Sequence, residues 1–152
     1  VSALRLKRLV GHLYKSQSQG EHDGLLFLLD ESELLAWMSE EPDCLPKFVS
    51  EIVPLLLNKK EGRTWHPLVL QIIDKFGRDE EVLKGISSNI HTFVWTGSTV
   101  SYYKQYLKPL EELRNHPLKQ VRDWSIKELK FLEKNIRREK QRFEEREIGV
   151  FE

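Results

Sequence analysis

Little in this 152-residue chain would let it cross-link itself or enter a bilayer. It has one cysteine, Cys44, so no internal disulfide can form, and a lone thiol fits a reducing, cytoplasmic setting. The longest strongly apolar run, Leu25 to Leu29, falls far short of the roughly 20 residues a membrane-spanning helix needs, so no membrane association is expected. Neither sign of charge is in excess. The 24 basic and 24 acidic side chains cancel, which excludes a simple polycation wrapped on nucleic acid. Also absent are the phosphate-cradling Gly-x-x-x-x-Gly-Lys and Gly-x-Gly-x-x-Gly, the hydrolase Gly-x-Ser-x-Gly, and the metal spacings Cys-x-x-Cys and His-x-x-x-His. The expectation is a non-enzyme with no cofactor, no metal and no catalytic residue.

What the chain does have is a real core and charge in blocks. Hydrophobic residues make up 39%, too many for a disordered chain, and the length fits one domain. The first residue is Val1 and no signal-peptide pattern follows it, so a fragment of a longer protein is expected. Residues 1–20 carry four basic groups and no acid. Residues 21–81 carry six basic against fourteen acidic groups, and residues 104–147 carry thirteen against nine. Such runs are usually solvated helix faces; the sharper reading is one acidic and one basic surface suited to different neighbours.

Apolar spacing is helical nearly throughout. Leu6, Leu9, Val10 and Leu13 recur at three- and four-residue steps, and Leu25 to Leu29 lacks the β-branched residues of a strand. Asp30 with Glu33 starts a helix over 31–40. Asp43 caps a helix over 44–58 that Pro54 should kink. After a polar loop at 58–63, Thr64 caps a helix over 65–76 that Gly77 ends. Asp79 opens a helix over 79–89, and Ser98 one over 99–114 with Pro109 inside it. Asn115 caps the longest helix, 118 to about 147. Its stripe is Leu118, Val121, Ser125, Leu129, Leu132, Ile136 and Phe143, widened by Trp124 and Phe131. All regular structure is therefore expected to be helical.

An internal repeat supports a stacked arrangement. Pro54 leads to His66-Pro67-Leu68, and Pro109 leads to His116-Pro117-Leu118, fifty residues on. Each copy reads as a proline-bearing helix, a turn, and a second amphipathic helix. The stretch His116 to Ser125 resembles the second helix of a HEAT repeat. Pro117, Val121, Arg122 and Ser125 occupy comparable places, with one extra residue before the valine, and Pro109 matches the proline that bends many first helices of that family. The copy over 46–76 keeps Pro67 but has no Val-Arg pair. The resemblance is fuller over 99–140, thinner over 44–76 and absent over 1–40. The stretch from Asp79 to Tyr103 is also similar to C-terminal helical regions of large bacterial proteins, some with upstream NTPase or defence-associated domains. The resemblance implies an all-α fold: antiparallel helix pairs in a short HEAT-like α-solenoid with a long last helix, one domain over 1–152, repeat-like over 44–147.

Two groups of residues are candidates for partner binding. Trp95, Tyr102 and Tyr103, with Phe93, crowd eleven positions. Large aromatics usually plug a core, but Trp and Tyr also dominate interface hot spots. Arg114, Lys119 and Arg122 cluster near the start of the last helix, either in intramolecular contacts, as a HEAT-type arginine commonly is, or against phosphates. A protein partner, or other domains of the same parent chain, is the expected ligand. Nucleic acid is the alternative, held weakly by Lys119, Arg122, Lys127, Lys130, Lys134, Arg137 and Arg138, with Asp123, Glu128 and Glu133 interleaved against it. His66 and His116 are read as turn residues with a capping or packing role, and Cys44 as a packing residue.

Overall fold

The computed structural model describes residues 30–92 and 98–149, and these are mostly helical. In chain order they form α1 (Glu31–Glu40), α2 (Leu45–Ser50), β1 (Leu56–Lys59), β2 (Gly62–Trp65), α3 (Pro67–Phe76), α4 (Glu80–His91), α5 (Thr99–Glu112), a 3-10 turn (Leu113–Asn115) and α6 (Lys119–Gly149). The backbone gathers into two compact units. The first holds 30–55 and 66–92, hence α1 to α4; the second holds Leu56–Trp65 and 98–149, hence the strands, α5 and α6. The helix expected around Leu6 to Leu13, the run Leu25 to Leu29, and Trp95 lie outside the described residues.

In the first unit, α1 starts where expected. The Asp30 carboxylate accepts from the Ser32 hydroxyl at 2.6 Å and the Ser32 N–H at 3.4 Å, and these bonds hold its pKa below the ordinary value. Leu34 and Met38, one turn apart, are buried. Gln71 of α3 donates to the Glu31 carboxylate at 3.0 Å.

The second helix stops far earlier than its apolar stripe implies. It has only six residues, with Pro46 in its first turn and no side-chain cap from Asp43. A helix so short is unstable alone. It is held by α4, through three residues at four-residue steps on one face. Glu81 pairs with Lys47 at 3.0 Å. Gly85 allows the backbones to meet: a Cβ there would lie 2.9 Å from the Lys47 carbonyl oxygen and 3.1 Å from Ser50 Cβ. The Asn89 amide donates to the carbonyls of Ser50 at 2.9 Å and Val53 at 2.6 Å, filling acceptors that the ending helix leaves free.

In the second unit, the expectation that all regular structure is helical is overturned. Residues 56–65 form an antiparallel hairpin in which Leu56 faces Trp65, Leu57 faces Thr64, Asn58 faces Arg63 and Lys59 faces Gly62. Pro54 has no N–H to continue the helix, and so ends it rather than kinking it. Gly62 has φ 119°, a value disfavoured for any residue with a Cβ, which is why glycine closes this turn. Thr64 is therefore a strand residue, and His66 takes the cap of α3.

The helices α5 and α6 form an antiparallel pair: Ser98 to Val100, at the start of α5, lie beside Glu139 to Arg146 of α6. Pro109 lies inside α5 as expected. Asn115 belongs to the 3-10 turn and does not cap α6. The buried face of α6 is Val121, Trp124, Ser125, Glu128, Leu129, Leu132 and Ile136. Phe143 and Phe131, placed on or beside that face by periodicity, are 64% and 50% exposed. Phe131 stands beside the seam rather than on it, and Phe143 lines an open groove next to Ser98 to Val100 that leaves its ring largely exposed.

Candidate functional site

The aromatic candidates divide. Tyr102 is buried, stacked edge-on with Tyr103 at 5.6 Å and with Tyr106 at 5.5 Å, its hydroxyl 3.4 Å from that of Tyr106. Tyr106 is buried as well, 6.3 Å from the Trp65 ring. Burial, with Tyr102 alongside, pushes the Tyr106 phenol well above its ordinary pKa. Tyr103 is half-buried, and burial followed by the nearby Glu139 carboxylate raises its pKa too. These rings plug a core, and of the two expected anchors among the described residues, Tyr102 and Tyr103, only Tyr103 keeps substantial exposure. Trp95, the third anchor, lies outside the described residues.

Two residues central to this cluster were not singled out from the sequence. The Trp65 indole N–H donates to the Pro109 carbonyl at 2.7 Å. That oxygen is available because the Leu113 N–H turns to Leu110 and Glu111 as the helix tightens into its 3-10 end. Proline in α5 and tryptophan on β2 are thus two halves of one contact. Tyr106 was legible as the i+4 neighbour of Tyr102; Trp65 was hidden by reading its strand as helix.

The basic candidates serve the fold. Arg122 donates to the carbonyls of His116 and Pro117, both at 2.8 Å, so it ties down the entry to its own helix. Arg114 pairs with Glu111 at 2.6 Å, and Lys119 with Asp123 one turn on. Farther along α6, Lys127, Lys130, Lys134, Arg137 and Arg138 are exposed, with Glu133 exposed among them.

The repeat has a structural counterpart in its second half. His66 and His116 both sit in extended backbone, with φ and ψ of −60° and 136° and of −63° and 144°. Each uses Nδ1 to accept from the N–H two residues on, Leu68 and Leu118 respectively, at 3.1 Å. The prolines upstream differ: Pro109 lies in a helix, and Pro54 follows one.

Beyond Ile136, α6 carries no buried residue. Phe143 is 64% and Ile148 69% exposed, and the rest is charged or amide except Gly149. Arg142 pairs with Glu139 at 3.0 Å and Gln141 with Glu145 at 3.1 Å, while Arg137 donates to the Glu133 carbonyl at 3.4 Å. Among the described residues no His, Cys, Asp and Glu group of three or more could hold a metal ion, and no helix is long and apolar enough to cross a membrane. Comparison with known proteins gives no match at any level: no family model, no curated protein and no solved structure matches this chain.

Proposed function

We propose that the chain is a non-catalytic protein-interaction or scaffold module, the HEAT-like helical region of a larger, cytoplasmic bacterial protein. The observation that carries this reading is the exposed end of α6. Residues 137–149 include no buried side chain and present Phe143, in an open groove beside Ser98 to Val100, and Ile148 among charges. A helix face of this kind offers an apolar anchor within a polar rim, the composition of a protein-binding patch. The inward use of Arg122 accords with the resemblance of residues 116–125 to a HEAT second helix. It also weakens the nucleic-acid alternative, since Arg122 and Lys119 are engaged within the chain.

The test pairs two measurements. Affinity capture at physiological salt, with wild type and Phe143→Asp, should retain a protein on the first and lose it on the second. Titration with duplex and single-stranded DNA over a salt series should show only weak binding that vanishes near physiological ionic strength. Tight binding that survives that salt and falls with Lys130→Ala and Lys134→Ala would overturn the proposal.

A further inference from the structure

The solvent side of α6 carries a basic face. Lys127, Lys130, Phe131, Lys134, Arg137 and Arg138 are all exposed and fall within about 120° of the helix circumference. The carboxylates nearest in sequence, Glu128, Glu133 and Glu139, lie off that sector. The first unit carries a face of opposite charge. Exposed Glu33 and Glu40 stand on one side of α1, away from the side that buries Leu34 and Met38, with exposed Ala36 and half-buried Trp37 between them. Among the described residues, none of Lys127, Lys130, Lys134, Arg138, Glu33 and Glu40 is in an ion pair. The two faces also match in spacing. Glu33 and Glu40 are seven residues apart, as are Lys127 and Lys134, two turns or about 10 Å along either helix. Laid antiparallel with Glu40 level with Lys127, Glu33 comes level with Lys134, and Asp30 with Arg137 and Arg138. Ala36 and Trp37 then meet Phe131 and Lys130 in the middle, where the indole can take both the ring and the cation. Within these faces no carboxylate meets a carboxylate and no cation a cation. A parallel pairing serves the same two lysines but sets Asp30 level with the buried Trp124.

We infer that α1 of one copy docks antiparallel on the basic face of α6 of a second copy, with Glu40 on Lys127 and Glu33 on Lys134. This rests on the protein-interaction reading above and names a second copy as the partner of a face which that reading does not use. The charge order sets direction and register. Each copy carries both faces, so the contact is heterologous, and it either closes into a ring or runs on from copy to copy. The ten residues of α1 span about 15 Å, and one such contact falls below the roughly 1,200 Å² of a standard stable interface. The association is therefore weak, concentration-dependent and screened by salt.

Sedimentation equilibrium on the full chain, from about 10 µM to about 1 mM protein at about 50 mM salt, tests this. Wild type should self-associate reversibly, and raising the salt to about 500 mM should weaken that association. The single variants E40K and K127E should each associate at least about tenfold more weakly with unchanged helicity, because both side chains are exposed and like charges then meet. The double variant E40K/K127E should recover the association, since the reversed pair is again of opposite sign. The double variant E40K/K134E should not, because in the antiparallel register it sets lysine on lysine and glutamate on glutamate. A wild type that stays monomeric, an association indifferent to salt or to E40K, or recovery in E40K/K134E in place of E40K/K127E would overturn the inference. The protein-interaction reading is judged separately by capture with Phe143→Asp, a residue outside both faces, and it stands or falls on that result whatever sedimentation shows.

Discussion

The two units solve the same problem, holding helices together, by different means. In the unit of α1 to α4 the six-residue α2 buries Leu45 and Val49 and draws added support from polar contacts and a close backbone approach: Glu81 on Lys47, Asn89 on two carbonyls, and the missing side chain of Gly85. In the unit of the hairpin, α5 and α6, the weight is carried by large apolar and aromatic groups, with Trp65, Tyr102 and Tyr106 at one place and Leu129, Leu132 and Ile136 along a seam. A short helix has few internal hydrogen bonds and many free carbonyls, so it depends on donors from a neighbour. A long amphipathic helix depends on burial of its stripe, and in α6 that burial ends at Ile136. The units also differ in charge. Eleven acidic and four basic side chains give the described part of the first a net −7, and sixteen basic and ten acidic give the second a net +6.

The comparison breaks most visibly by truncating the apolar seam. Leu132→Ala should cost about 2–5 kcal/mol and Trp65→Ala about 3–5 kcal/mol by denaturant unfolding, since both side chains are buried and Trp65 also loses its bond to Pro109. In the first unit, Gly85→Ala should destabilise by roughly 1–3 kcal/mol, although alanine is the better helix former. The new Cβ meets the Lys47 carbonyl oxygen at 2.9 Å, and a backbone atom cannot step aside as a side-chain end can. If Gly85→Ala stabilises, the close approach of α2 and α4 is wrong.

Smaller effects test what the units share. His66→Ala and His116→Ala should each cost about 1 kcal/mol in thermal or denaturant melts, and asparagine at either place should recover most of it, because its side-chain oxygen accepts the same N–H. Equal losses at the two positions would strengthen the repeat; a loss at one alone would reduce it to coincidence. The smallest effect is electrostatic. Lys84 and then Lys47 hold the Glu81 carboxyl down to about 2 from 4.5. Its folded pKa is depressed, so its contribution is present above about pH 4.5 and is lost as pH falls toward 2. Glu81→Gln should therefore flatten the acid limb of a melting-temperature profile in that window and leave the profile at neutral pH nearly level.

Much of the helical framework was legible. The spans of α1, α4 and α6, the end of α3 at Gly77, and Pro109 inside α5 follow from caps, periodicity and breakers. The hairpin was not legible, because its strands have four residues each and only Trp65 at one end is buried, too little for an alternating pattern to register. The α4 face that supports α2 was missed for a related reason: Glu81, Gly85 and Asn89 include no apolar residue, and a search for hydrophobic stripes passes over them. Spacing put Phe143 in the buried stripe, yet its ring is 64% exposed, because spacing carries no information on how closely the partner helix packs at that level. The sequence-level choice between core plug and anchor for the aromatics turned on the same kind of tertiary fact, the approach of β2 to Pro109.

The division of α6 at Ile136 is the central claim, since it separates the part that holds the fold from the part that the proposed function assigns to a partner. Amide hydrogen exchange along α6 in dilute solution tests it directly. The account predicts strong protection over 121–136 and a sharp fall beyond it. Uniformly high protection through residue 149 in dilute solution would contradict it, because the end of the helix would then already be covered within a single chain.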